Sequence, residues 1–189
     1  MAWLVLAYRL PANSGLKTTI RRRLTAMGAV YPANAVATLP ASPTAERAFR
    51  RMRSMIGEAG GSAQVLRAEA IEGEPELITV FNAAREQEYS QIIAGCGDVV
   101  ARIEAMTAAS QFRYANLGER EAELKRLSMR NETIRARDAL GAANAGAAIS
   151  SLARCRAVLD EYARRVYQAD PVSITGIVPG SQKAPGALK

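Results

Sequence analysis

The sequence contains no histidine. That excludes every catalytic triad built on an imidazole and removes the commonest zinc ligand. Aromatic residues are scarce, at 5% of 189, so a core must be assembled from Ala, Leu, Val, Ile and Met. Cysteine occurs twice, as Cys96 and Cys155. Two cysteines so far apart do not make a metal site, and they read as small buried apolar residues in a reducing compartment. No acidic side chain precedes Glu46, so the first strand has no carboxylate with which to hold a metal. Phosphate-loop patterns of the G-x-x-x-x-G-K-S/T or G-x-G-x-x-G kind are absent. No apolar run approaches the roughly 20 residues of a membrane span. The apolar start, Ala2 to Leu10, lacks the basic region and cleavage site of a secretory signal. These absences together predict a cytoplasmic, membrane-free chain without cofactor, bound metal or enzymatic activity.

What is present is basic charge, unevenly distributed. The net charge is +7. Residues 1–73 carry ten basic side chains against four acidic ones, whereas residues 74–189 are nearly balanced at fifteen against fourteen. Nearly all the surplus therefore belongs to the first part, as expected if that part meets an anionic partner.

The run WLVLAYR, Trp3 to Arg9, is almost continuously apolar and predicts a buried central strand. Pro11 ends it, and Asn13 or Ser14 can cap a following helix. Leu16, Ile20, Leu24 and Met27 then form one helical stripe, stopped by Gly28. Two short strands follow, Ala29 to Tyr31 and Val36 to Leu39. The turn between them is Pro32 to Ala35, with Asn34 suited to positive φ. Ser42-Pro43 is a helix start with Pro at the first position, and Ala45, Phe49, Met52 and Ile56 form its apolar stripe. Gly60-Gly61 stop that helix, and Ser62 to Ala70 alternates as a fourth strand. Strand, helix, strand, strand, helix, strand is the ferredoxin-like, split β-α-β plan. Both helices then lie on one face of a four-stranded antiparallel sheet in an α+β fold.

From Pro75 the period becomes helical through Leu77, Val80, Phe81, Ala84, Glu88 and Ile92. Gly95 and Gly97 are candidate kinks, after which Val99, Ile103 and Met106 resume the stripe. A break is expected around Tyr114 to Gly118 and a charged helix over Glu119 to Arg137. A second break follows at Gly141 to Gly146. A last helix covers Ala147 to Tyr167, with Ile149, Leu152, Val158, Leu159 and Tyr162 inward. This predicts an antiparallel helical hairpin or three-helix bundle. The expected organisation is a basic ferredoxin-like domain at 1–73, a helical domain at 74–168 and a disordered tail at 169–189.

The candidate functional residues are Lys17, Arg21, Arg22 and Arg23 on the first helix and Arg47, Arg50 and Arg51 on the second, with Arg53 beside them. None belongs to an apolar stripe. If the two helices cover one sheet face, these charges share an outer surface. Guanidinium groups match phosphate oxygens in a fork, and a cluster of them releases counterions when it meets a polyanion. Only Glu46 offsets them between Arg9 and Arg53. Glu86 and Glu88, with Arg85 and Tyr89, could orient water or a metal, but fit better as a helix surface or an interdomain contact. Glu119, Glu121 and Glu123 suit the positive end of a helix dipole.

The segment RRRLTAMGAVYPANAVATLP resembles the basic helix, Gly-Ala-Val strand and Leu-Pro ending of the amino-terminal domain of the chromate-resistance regulatory proteins called ChrB. WLVLAYRLPANSGLKTTIRRRL is similar to that family's opening, and AGGSAQVLRAEAI to its Gly-Gly turn and fourth strand. FNAAREQEYSQI resembles its Phe-x-x-x-Arg-x-x-x-Tyr helix, carried here by Phe81, Arg85 and Tyr89. The resemblance extends from Met1 to about Tyr167. It implies a DNA-associated transcriptional regulator of a chromate-efflux operon. Full-length members carry a further carboxy-terminal domain associated with chromate sensing, for which no length remains after Tyr167. The resemblance thus implies either a stand-alone paralogue or one half of a split protein working with a separate chromate-sensing partner. The family also resembles phenylacetate-type repressors, in which the ferredoxin-like module supports homodimerisation beside a winged helix. No winged-helix pattern is visible here.

Overall fold

The first strand is the centre of the sheet because its residues are apolar on both sides. In a computed structural model that describes residues 1–11 and 15–169, β1 (Ala2–Arg9) pairs antiparallel with both β3 (Val36–Pro40) and β4 (Ser62–Glu69). With β2 (Val30–Ala33) on the outer side of β3, the order is β2-β3-β1-β4. This is the strand order of the split β-α-β plan, and all neighbours are antiparallel.

Register assigns the faces, since residues directly opposite in an antiparallel ladder point the same way. Leu4 faces Leu39 and Arg67, and Leu6 faces Ala37 and Val65. Against this side pack α1 (Leu16–Ala26), through Ile20 and Leu24, and α2 (Pro43–Glu58), through Phe49, Met52 and Ile56. All five are buried, as the spacing of the stripes requires. Trp3, Val5 and Ala7 point to the opposite face, beside Pro40, Thr38 and Val36 of β3. Trp3 is covered there by Phe81, with the rings edge to face at 6.4 Å between centroids.

Local signals explain the element boundaries. Ser42 caps α2 through its hydroxyl, which accepts from the Ala45 N–H at 3.1 Å. Gly28 takes φ 87° where the chain leaves α1, a conformation that favours glycine. The β2–β3 turn is shorter than expected, Asn34 and Ala35 alone, and Ala35 rather than Asn34 takes positive φ, at 58°. The carbonyl of Ala35 accepts from the Tyr8 N–H at 3.0 Å, which ties the turn to β1. The cap expected of Asn13 or Ser14 and the expected tail both lie outside the described residues.

Three helices complete the fold: α3 (Glu74–Ala108), α4 (Tyr114–Arg135) and α5 (Ala145–Ala169). Gly95 and Gly97 do not interrupt α3. A Cβ at Gly95 would lie 2.8 Å from Cδ2 of Leu127 on α4, so this glycine permits close approach of two helices. The break after α3 comes earlier than expected, at 109–113, with Ser110 at φ 52°. Tyr114 to Gly118 are therefore helical, and Glu119, Glu121 and Glu123 lie beyond the first turn of α4. Ile149 is 45% exposed rather than inward, because Ala148 occupies the buried position beside it. Tyr89, Ile92, Cys96, Val99 and Ile103 of α3 form a second core with Leu124 and Ile134 of α4 and Cys155, Leu159 and Tyr162 of α5. Phe81, on the same α3, belongs to the first core instead.

Candidate nucleic-acid interface

The arginine run of α1 does not form one patch, because successive helical residues are rotated by about 100°. Lys17 and Arg21 fall on the flank facing the β2–β3 hairpin, and the Arg21 guanidinium carbon stands 4.8 Å from the centroid of the Tyr31 ring. Arg23 falls on the other flank, where its Nη1 lies 3.2 Å from the Met55 sulfur of α2. Arg22 points between them, away from the stripe of Ile20 and Leu24. All four cations are exposed. The Arg23–Met55 contact brings the outer surfaces of α1 and α2 side by side, so the basic residues of both helices belong to one layer.

On α2 the cations are not equivalent. Arg47 donates to the Thr44 hydroxyl at 3.3 Å, and Arg51 is exposed. Arg50 is paired with Glu46 at 2.7 Å, and Arg67 of β4 approaches the other oxygen of the same carboxylate at 3.4 Å. The hydrogen bond and charge of Arg50, then those of Arg67, hold the Glu46 carboxyl below its ordinary pKa. The Arg50 side chain remains 72% exposed, and such a pair is held loosely in water. Arg50, Arg53 and Arg67 together line a cleft of about 520 Å³ between α2 and β4, with Glu46 in its wall. A second cleft, of about 280 Å³, is lined by Tyr8, Arg9, Lys17, Arg21, Asn34 and Ala35. Arg9 and Arg67 were not among the expected site residues. Both lie on strands, and only the pairing of β1 with β4 and the packing of α1 show which helix each accompanies.

The other polar concentration is structural. Arg85 is 2% exposed and donates to the Gly28 carbonyl at 3.3 Å, with its Nε 3.0 Å from Glu88. Its guanidinium carbon also stands 5.3 Å from the centroid of the Phe81 ring. Arg137, from the segment after α4, bridges Glu88 and the Ala26 carbonyl. Burial draws the Arg85 pKa below its ordinary value, while the Glu88 charge acts in the opposite sense. Tyr89 donates to Asp138 at 3.1 Å, and its hydroxyl pKa is pushed up to about 12 by burial and then by the Asp138 charge. Asp138 also accepts from the N–H groups of Gly141 and Ala142. The Arg85–Glu88–Tyr89 set thus joins the exit of α1 to the long helices rather than forming an exposed helix surface. Among the described residues, no group of three or more His, Cys, Asp or Glu is placed to hold a metal, and no helix is long and apolar enough to cross a membrane. Cys96 and Cys155 are buried free thiols, and burial raises the pKa of both, to about 11 for Cys96.

No curated protein matches the chain. The family model described as "Protein ChrB, N-terminal" matches residues 17–172. That span begins at the first cation of α1 and takes in α2, the Arg85 junction and all three long helices. A match over most of the chain shows the family, and the chain belongs to the ChrB amino-terminal family of chromate-resistance regulatory proteins.

Proposed function

We propose that the chain is a DNA-binding transcriptional regulator of chromate resistance, with the α1–α2 layer lying against the phosphate backbone. The observation that supports this is the exposure of Lys17, Arg21, Arg22, Arg23, Arg47, Arg50 and Arg51 on one layer, where α1 and α2 together carry only two carboxylates, Glu46 and Glu58. Contacts of this type position a protein on a duplex without specifying sequence. Binding should weaken steeply with salt. A set of six to ten phosphate contacts loses roughly 10³–10⁵ in affinity between about 50 and 200 mM salt. Fluorescence anisotropy with a duplex at two salt concentrations tests this. Arg22→Ala and Arg51→Ala should each reduce the salt slope by about one. Absence of binding at low salt refutes the reading. Titrating chromate into the complex then asks whether this chain responds to the oxyanion or leaves that to a separate sensing partner.

A second reading, a dimeric interaction module, is favoured by the outer sheet face. Beyond the part covered by Phe81, Val5 stands beside Leu66, which is 49% exposed. Among the described residues β4 also presents an unpaired edge, which invites strand pairing. Light scattering should give twice the monomer mass, and Leu66→Glu should return the monomer. A strictly monomeric wild-type chain rules out self-association.

A further inference from the structure

We infer that the outer edge of β4 and the cleft beside it form a docking groove for an extended acidic segment of a partner protein, which joins the sheet as a further strand. β4 is the last strand in the order β2-β3-β1-β4, and among the described residues nothing pairs with its outer edge. Such an edge carries a row of N–H and C=O groups that another extended chain can meet. The usual obstacles to that pairing are missing. Ser62–Glu69 contains no proline, and its register with β1 runs from Arg9↔Ser62 to Ala2↔Glu69 without a bulge.

The cleft decides the chemistry of the partner. It measures about 520 Å³ and is walled by Arg50 and Arg53 of α2 and by Arg67 of β4. Leu4 of β1 closes its inner end, so its open side is the edge of β4. By register Arg67 and Val65 point to the face that α2 covers. A strand added to β4 sends alternate side chains to that same face. Main-chain bonds along the edge then supply affinity, and the cleft selects among side chains. Three arginines against Glu46 favour carboxylates. Glu46 already displays the contact, since one of its oxygens takes Arg50 at 2.7 Å and the other Arg67 at 3.4 Å. Arg53 has no hydrogen-bond or ion-pair partner among the described residues. A second copy pairing here would bring its own Arg67 to the ladder, and like charges across a ladder are destabilising. Leu66 points to the opposite face, so a dimer formed through it leaves the cleft open. The groove shares Arg50 with the basic layer, but its occupancy does not require that the chain bind DNA.

Fluorescence anisotropy of the full chain with a labelled eight-residue peptide of alternating Glu and Val tests the assignment. One peptide per chain is expected. Arg53→Gln and Arg67→Gln should each weaken binding about tenfold. Glu46→Gln, which frees two arginines, should strengthen it, and Arg22→Gln on α1 should leave it unchanged. Circular dichroism of each variant confirms that a loss is not unfolding. Alternate N–H groups of an extended chain point to opposite sides, so peptides N-methylated at odd or at even positions separate strand addition from attraction of charge alone. One of the two should lose binding and the other keep it. Equal binding by both overturns the assignment, as does absence of peptide binding to the wild-type chain. A peptide that binds only as it splits a dimer gives the edge to a second copy and overturns it too. So does a DNA duplex that responds to Arg53→Gln and Arg67→Gln where the peptide does not, which gives the cleft to nucleic acid.

Discussion

Gly28 shows how much a single position can be asked to satisfy. Its φ of 87° already favours glycine. A Cβ there would also strike Nη1 of the buried Arg85, whose place is fixed by Glu88 and the Phe81 ring. Gly28→Ala therefore carries backbone strain of order 1–3 kcal/mol, and in addition it displaces a charge that has no solvent to retreat to. A total loss of at least about 2 kcal/mol is expected, which for a chain of this size lowers Tm by about 4–8 °C. Thermal denaturation measures it. Arg22→Ala, on the open surface, serves as the comparison and should stay within about 0.5 kcal/mol. Equal effects of the two would remove the Arg85 junction as the reason for the glycine.

Elements announced by their own residues were legible in the sequence, and those settled by a partner were not. The start of α2 is local, since Ser42 and Pro43 carry it within one turn. Ser42→Ala should cost about 1 kcal/mol, readable from the midpoint of urea unfolding with an unchanged slope. The apolar stripes of α1 and α2 were likewise visible as spacing. The continuity of α3 was not, because Gly95 reads as a stop until Leu127 of α4 is seen to press against it. The start of α4 has no side-chain cap, so nothing marked Tyr114 as its first residue. The candidate site divided in the same way. The seven cations were visible as a surplus offset by Glu46 alone between Arg9 and Arg53. Their division into an outward set and a cleft depended on the helical phase of α1 and on Arg9, which reaches α1 only through the packing of the sheet.

At the scale of the whole molecule the charge and the cores are arranged differently. Charge separates along the sequence, with nearly all of the basic surplus in residues 1–73. Packing does not separate there. α3 begins at Glu74, where its carboxylate accepts from the Met1 amino group and the Trp3 indole. It sends Phe81 into the sheet core and continues through the helical core to Ile103. At 35 residues the helix is about 52 Å long. One hydrogen-bonded rod is therefore common to both hydrophobic cores. Melting either core leaves part of that rod without tertiary support, and helices are marginal in water without it. The consequence is cooperativity. Far-UV circular dichroism, which follows the helices, and Trp3 fluorescence, which follows the sheet, should trace a single coincident unfolding transition. Two separated transitions would mean that the rod frays at its middle and that each core holds its own share of it.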